Sequence, residues 1–157
     1  VKLEAEKRGG LLRDTDYGAQ IAMTVLLPAP EEAAFTLSLQ ELSAAVGFEV
    51  LDLAELPFEP ESISFTSYWG ELAEITYEGG RQTLTLRQSA GSKDNSGDSN
   101  EYADVETRDA DGLSVTLKGE GGQYALALWT DGGYAYSLCA APALPAETLL
   151  ALAAQSR

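Results

Sequence analysis

The sequence predicts an α+β domain: a curved antiparallel β-sheet of about six to seven strands, covered on one face by an N-terminal and a C-terminal helix. Three observations predict it. Apolar residues alternate with polar ones through a series of short segments, as they do in half-buried strands. Those segments are separated by glycine-bearing turns such as Glu78-Gly79-Gly80-Arg81 and Asp131-Gly132-Gly133. Two further segments, near residues 38–47 and 145–155, carry helical start and stop signals and an apolar stripe that needs a surface to cover.

In chain order, residues 1–16 are charged and glycine-bearing and read as a tether or frayed lead-in, leaving residues 17–157 as a single domain. Gln20 to Leu27 is apolar and stops at Pro28-Ala29-Pro30, which favours a strand. Ser38 begins a helix, because its hydroxyl can accept a backbone N–H while Glu41, three residues on, returns the bond in a capping box. Leu39, Leu42, Ala45 and Val46 share one face, and Gly47 supplies the left-handed stop. An apolar stretch from Phe48 to Leu53 leads to breaks at Pro57 and Pro60.

Period two then takes over, with Ile63 and Phe65, with Ala73, Ile75 and Tyr77, and with Leu84 and Leu86. After a polar loop come Leu113-Val115-Leu117, Tyr124-Leu126-Leu128 and Tyr134-Tyr136-Leu138, joined by short glycine turns as an antiparallel meander. Pro145 is expected at the first position of a closing helix, with Glu147 in its first turn and Leu149, Leu150 and Leu152 on its apolar side.

Composition narrows the chemistry. Ten basic residues against 25 acidic ones give a net charge of −15, which repels phosphate backbones and anionic headgroups. Nucleic acid is therefore not an expected partner. The absence of histidine removes the commonest general base, the Ser-His-Asp and Cys-His nucleophile systems and histidine-containing zinc sites. The single Cys139 lies in an apolar alternating run and reads as an inert buried thiol. No run approaches the roughly 20 apolar residues that span a bilayer, so the chain itself is not expected to cross a membrane. It begins at Val1 rather than Met, which predicts a removed signal, an anchor or a boundary upstream.

One stretch concentrates polar side chains: Gly91-Ser92-Lys93-Asp94-Asn95-Ser96-Gly97-Asp98-Ser99-Asn100-Glu101. Oxygen-bearing residues at alternate positions either converge on a hard cation or bond the backbone of their own turns. The EF-hand template fails, since its sixth and twelfth positions counted from Asp94 hold Ser99 and Val105 instead of glycine and a bidentate acid. An irregular calcium site of Asp94, Asp98, Asn100 and Glu101 is the minority reading, and internally satisfied turns are the favoured one.

Aromatic residues are the other candidates, because Tyr68, Trp69, Tyr77, Tyr124, Trp129, Tyr134 and Tyr136 fall on neighbouring expected strands where rings form a platform for a sugar, a peptide or a lipid, with Trp129, Tyr134 and Tyr136 as the expected binding surface. No two of the 25 acids stand out as the acid pair of a hydrolase. The expectation is a protein without a catalytic site and without a resident cofactor.

The succession of the capped helix ending Ala45-Val46-Gly47-Phe48, the Leu56-Pro57 break, Glu74-Ile75-Thr76-Tyr77, the loop Asp94 to Tyr102 and Trp129-Thr130-Asp131-Gly132-Gly133-Tyr134 resembles an uncharacterised bacterial domain-of-unknown-function family. That family comprises exported, lipoprotein-like or anti-sigma-like, membrane-anchored proteins of Gram-positive bacteria, and the resemblance spans roughly residues 20–155. It implies an extracytoplasmic location, an anchor N-terminal to Val1 and no known catalytic residues. The expected function is thus a non-catalytic sensor or binding module for a protein, peptide or glycan. The alternatives are a lipoprotein or lipid carrier with an apolar cavity, and a carboxylate-dependent hydrolase.

Overall fold

The capping box forms as the sequence places it. Ser38 Oγ accepts the Glu41 N–H at 3.0 Å and Glu41 Oε1 accepts the Ser38 N–H at 2.8 Å, opening helix α1 (Leu39–Val46). Gly47 closes it in the left-handed conformation, φ 81°. The computed structural model describes residues 37–157. The tether expected over residues 1–16 and the strand expected over residues 20–27 lie outside the described residues.

Seven strands follow: β1 (Ser62–Tyr68), β2 (Leu72–Gly79), β3 (Gln82–Ala90), β4 (Asp104–Ala110), β5 (Leu113–Glu120), β6 (Gln123–Asp131) and β7 (Tyr134–Pro145), then helix α2 (Ala146–Ala154). They form one open antiparallel sheet in the order β1-β2-β3-β7-β6-β5-β4. The α+β class is therefore observed. Strand β7 sits between two groups of three strands, each joined internally by tight turns.

Register sets the core. A row runs across all seven strands through Phe65, Ile75, Leu86, Leu138, Ala127, Leu117 and finally Glu106. From Ile75 to Leu117 these side chains are all but fully buried. Successive strand residues point to opposite faces, so this first face carries the apolar set while Glu74, Arg87 and Ser137, in register with one another, lie on the second. Helix α1 lies against β1 and β2, and α2 against β4 to β7.

Two buried polar side chains fasten the irregular segment between α1 and β1 to the first face. Tyr77 OH donates to Asp52 Oδ1 at 2.8 Å and accepts the Leu53 N–H at 2.9 Å. Gln88, fully buried, accepts the Leu51 N–H at 2.8 Å and donates to the Glu49 carbonyl at 3.3 Å. The same segment crosses β2 so closely that a Cβ on Gly79 would stand 2.3 Å from the Glu59 carbonyl oxygen.

Three expectations are corrected. Strand β4 was not anticipated, because four of its seven residues are charged (Asp104, Glu106, Arg108 and Asp109) and it is a solvent-facing edge. Tyr124, Leu126 and Leu128 do not line one face: the register shifts between Tyr124 and Leu126, and Ala127 and Trp129 take the inward positions. Pro145 is the cap of α2, in an extended conformation, rather than its first helical residue.

The strand order also explains the polar stretch. Consecutive β3 and β4 are parallel and separated by three strands, so the connection 91–103 crosses four strand spacings, about 19 Å, while returning along the sheet from the Gly133 end to the Gly119 end. Its 13 residues reach about 43 Å fully extended, so it has little slack. It is a strap rather than a loop tip.

Removing only the Tyr77 hydroxyl leaves the buried Leu53 N–H without its acceptor and Asp52 without its donor. Tyr77→Phe is expected to lower unfolding free energy by about 1–3 kcal/mol in urea titration, with an unchanged m-value because the fold is retained.

Candidate functional site

A chain that crosses a sheet face without joining its ladder must satisfy its own backbone. The strap does so with the very residues whose alternation marks it in the sequence. Asp94 Oδ1 accepts the Ser96 N–H at 2.8 Å, Ser96 Oγ accepts the Asp98 N–H at 3.1 Å, and Asp98 Oδ1 accepts the Asn100 N–H at 2.9 Å. Each oxygen serves the N–H two residues on, so a spacing of two recurs. Gly97 takes φ 72° in the middle of the second of these turns. Tyr102 OH donates to Asp98 Oδ2, and chiefly for that reason the Asp98 carboxyl is held below the usual carboxylate range, with the Asn100 N–H adding to the effect.

Arg87 fastens the strap to the second face. Its Nε donates to Glu74 Oε2 at 2.9 Å, and its Nη1 donates to the carbonyls of Asn95 and Ser96 at 3.1 and 2.9 Å. The guanidinium lies 5.9 Å from the centre of the Tyr68 ring, whose hydroxyl donates to Glu74 Oε1. Asn95 adds a second attachment, its Nδ2 donating to Ser89 Oγ at 2.8 Å and to the Ala135 carbonyl at 3.0 Å. Two buried oxygens, Asn95 Oδ1 and Ser137 Oγ, have no hydrogen-bond partner among the described residues.

Of the four proposed cation ligands, Asp94 and Asp98 face backbone donors, while Asn100 and Glu101 are solvent-exposed. Among the described residues no three acidic or cysteine side chains gather where a metal ion would sit.

The expected aromatic platform is not a surface. Trp129, 4% exposed, stacks on Tyr136 with centroids 5.2 Å apart and planes 6° from parallel, and both belong to the first-face core. The Trp129 Nε1–H donates to Ser156 Oγ at 3.1 Å. Tyr134 is half-buried and packs on Phe48 at 4.8 Å. The alternation that places these rings on adjacent strands is the alternation of a core face.

The profile of a domain of unknown function, DUF4367, matches residues 65–155, more than half of the chain. The chain belongs to the DUF4367 family. A second profile, DUF1949, also a domain of unknown function, matches residues 1–45 and overlaps the described residues only from Leu37 through most of α1. No curated protein and no solved structure matches the chain.

The DUF4367 match starts inside β1 and ends just past α2, so it takes in the strap and every strand that flanks it. Arg87 and Tyr102, which hold this strap, were missed by sequence reasoning. Arg87 had a signal, since it sits between inward Leu86 and Gln88 and so had to face the second side. Cys139, half-buried on that side, has its thiol pushed up chiefly by burial. At the β6–β7 turn, Asp131, Gly132, Gly133 and Arg157 line a shallow open cleft of about 530 Å³.

Two outcomes follow from the strap. Arg87→Lys offers one nitrogen where the guanidinium places two, Nε on Glu74 and Nη1 on the two carbonyls. Amide exchange at residues 94–100 is expected to accelerate at least tenfold, while amides of β3 and β7 keep their protection. Asp98 titrates low when folded, so its contribution is complete above the unfolded carboxylate pKa of about 3.9 and disappears as pH falls through the lower folded value. The stability difference between the parent and Asp98→Asn is therefore expected to shrink below about pH 4 in acid titrations of unfolding.

Proposed function

We propose that this DUF4367 domain is a non-catalytic sensor or binding module that works outside the cytoplasm. Its parent would be anchored upstream of Val1, in the manner of the Gram-positive lipoprotein-like and anti-sigma-like proteins whose sequence pattern it resembles. The observation that carries the binding reading is the braced strap. Lys93, Ser99 and Glu101 are exposed on a segment whose backbone is held by three successive side-chain turns and by Arg87. A surface already ordered before contact loses little conformational entropy on binding, which favours recognition of a protein, peptide or glycan.

In this reading both helices cover the first face. Leu42 and Val46 of α1 and Leu149 and Leu152 of α2 join one buried cluster with Ile75, Leu86, Val115 and Leu138. That packing favours a solid core over the apolar cavity a lipid carrier would need. No resident cofactor is proposed, since one oxygen each of Asp94 and Asp98 already serves a backbone N–H and the second oxygen of Asp98 accepts from Tyr102. Among the described residues no helix is long and apolar enough to cross a membrane.

Thermal melting is expected to be unchanged by millimolar calcium, because a ligand that binds only the folded state raises the melting temperature. A rise would overturn the cofactor-free reading. Hydrolysis of a peptide or glycoside that vanishes in Asp98→Asn would overturn the non-catalytic one.

A further inference from the structure

The hairpin between β1 and β2 carries a residue its turn does not favour. Trp69 and Gly70 are the central residues of a β-turn closed by the Glu71 N–H on the Tyr68 carbonyl at 3.0 Å, and both have positive φ, 57° and 68°. Such turns favour asparagine, aspartate or glycine at the first central position, because a side chain beyond Cβ crowds the backbone there. The described residues obey this elsewhere: their other turns with two successive positive φ values are Asp111-Gly112, Gly121-Gly122 and Gly132-Gly133. Among the described residues only this hairpin places a bulky ring at the crowded position, and the ring is 84% exposed. The indole tilts against the Tyr68 ring, centroids 5.7 Å apart, but most of its surface still faces solvent, which points to a role in contact with another molecule.

The strand behind it is equally unusual for an edge. β1 reads Ser-Ile-Ser-Phe-Thr-Ser-Tyr, with no charge and no proline, and Ile63 is 39% exposed. The opposite edge, β4, is guarded by Asp104, Glu106, Arg108 and Asp109. Among the described residues, one backbone donor meets the outer side of β1: the Leu37 N–H bonds the Phe65 carbonyl at 3.1 Å, at mid-strand. The Ser67 end, beside Trp69, lies beyond that contact.

Charge selects the occupant. From Leu37 to Gly80 the chain has nine carboxylates and no lysine or arginine, and of the nine only Glu74 is ion-paired among the described residues, with Arg87. Glu71 follows the turn directly, and Glu61 and Glu78 sit at the far end of the strand.

We propose that the Trp69 hairpin is a docking point for an extended, lysine- or arginine-bearing segment of a partner protein. The segment adds backbone hydrogen bonds at the Ser67 end of β1, lays a cation on the indole and places others against Glu71 and its neighbours. The assignment rests on the binding-module reading and gives that reading a second surface, apart from the strap.

The test is titration of a labelled octapeptide of alternating valine and lysine, with a valine–glutamate octapeptide as control, against the parent domain and Trp69→Asn. Saturable binding of the lysine peptide is expected, weaker in high salt and at least about tenfold weaker in Trp69→Asn. Trp69→Asn is expected to melt close to the parent, since the gain from an asparagine suited to the turn offsets the lost ring contact with Tyr68. Lost binding then reports the ring and not unfolding. Equal binding by Trp69→Asn, equal binding of the glutamate peptide, or no binding by the parent would each overturn the assignment while leaving the strap as the module's surface. A dimer of the parent that Trp69→Asn abolishes would also overturn it, by making a second copy the occupant.

Discussion

The pairing of β3 with β7, in register from Thr83 opposite Ala141 to Ala90 opposite Tyr134, makes one sheet out of two hairpin systems. On one side lie β1, β2 and β3; on the other, β4, β5 and β6, which meet β3 only through β7. Everything distinctive follows from that insertion. The Leu86–Leu138 pair lies at the middle of the buried row. Because β7, β6 and β5 lie between β3 and β4, the chain leaving β3 cannot turn directly into the next strand. It must cross the second face, and the polar strap is the physical solution to that crossing.

The two faces are consequently built on different principles. The first is held by apolar burial, with Tyr77 and Gln88 as the polar points that fasten the segment after α1. The second is held by directed hydrogen bonds, of which Arg87 makes three and Asn95 two. An apolar face tolerates exchange of similar side chains. A face held by a guanidinium fork does not, because donor number and geometry are both fixed.

Much of the fold was legible. The capping box of α1, the glycine turns and the alternation of β1, β2, β3, β5 and β7 are local signals, and each forms where its residues lie. What escaped was non-local. β4 lacks an apolar stripe because, at an open edge, charges serve better than packing. The shift between Tyr124 and Leu126 depends on how β6 meets β7, which no window of β6 alone contains. The strap's composition was visible, but its cause was not: alternate Asp, Ser and Asp read equally as ligands or as turn acceptors until the strand order shows that the segment must supply its own hydrogen bonds. Trp129 and Tyr136 misled for a related reason, since core and platform share one period and only burial separates them.

The central position of β7 also shapes the protein's birth. During synthesis both hairpin systems emerge before the strand that joins them, so β3 and β6 each present a bare inner edge until residues 134–145 leave the ribosome. Such edges are templates for wrong pairing. The strap, already tied to Arg87 through the Asn95 and Ser96 carbonyls, would hold the two halves near each other over that interval and keep the gap open for the last strand. A segment that looks like decoration on the finished sheet thereby becomes a tether for the unfinished one.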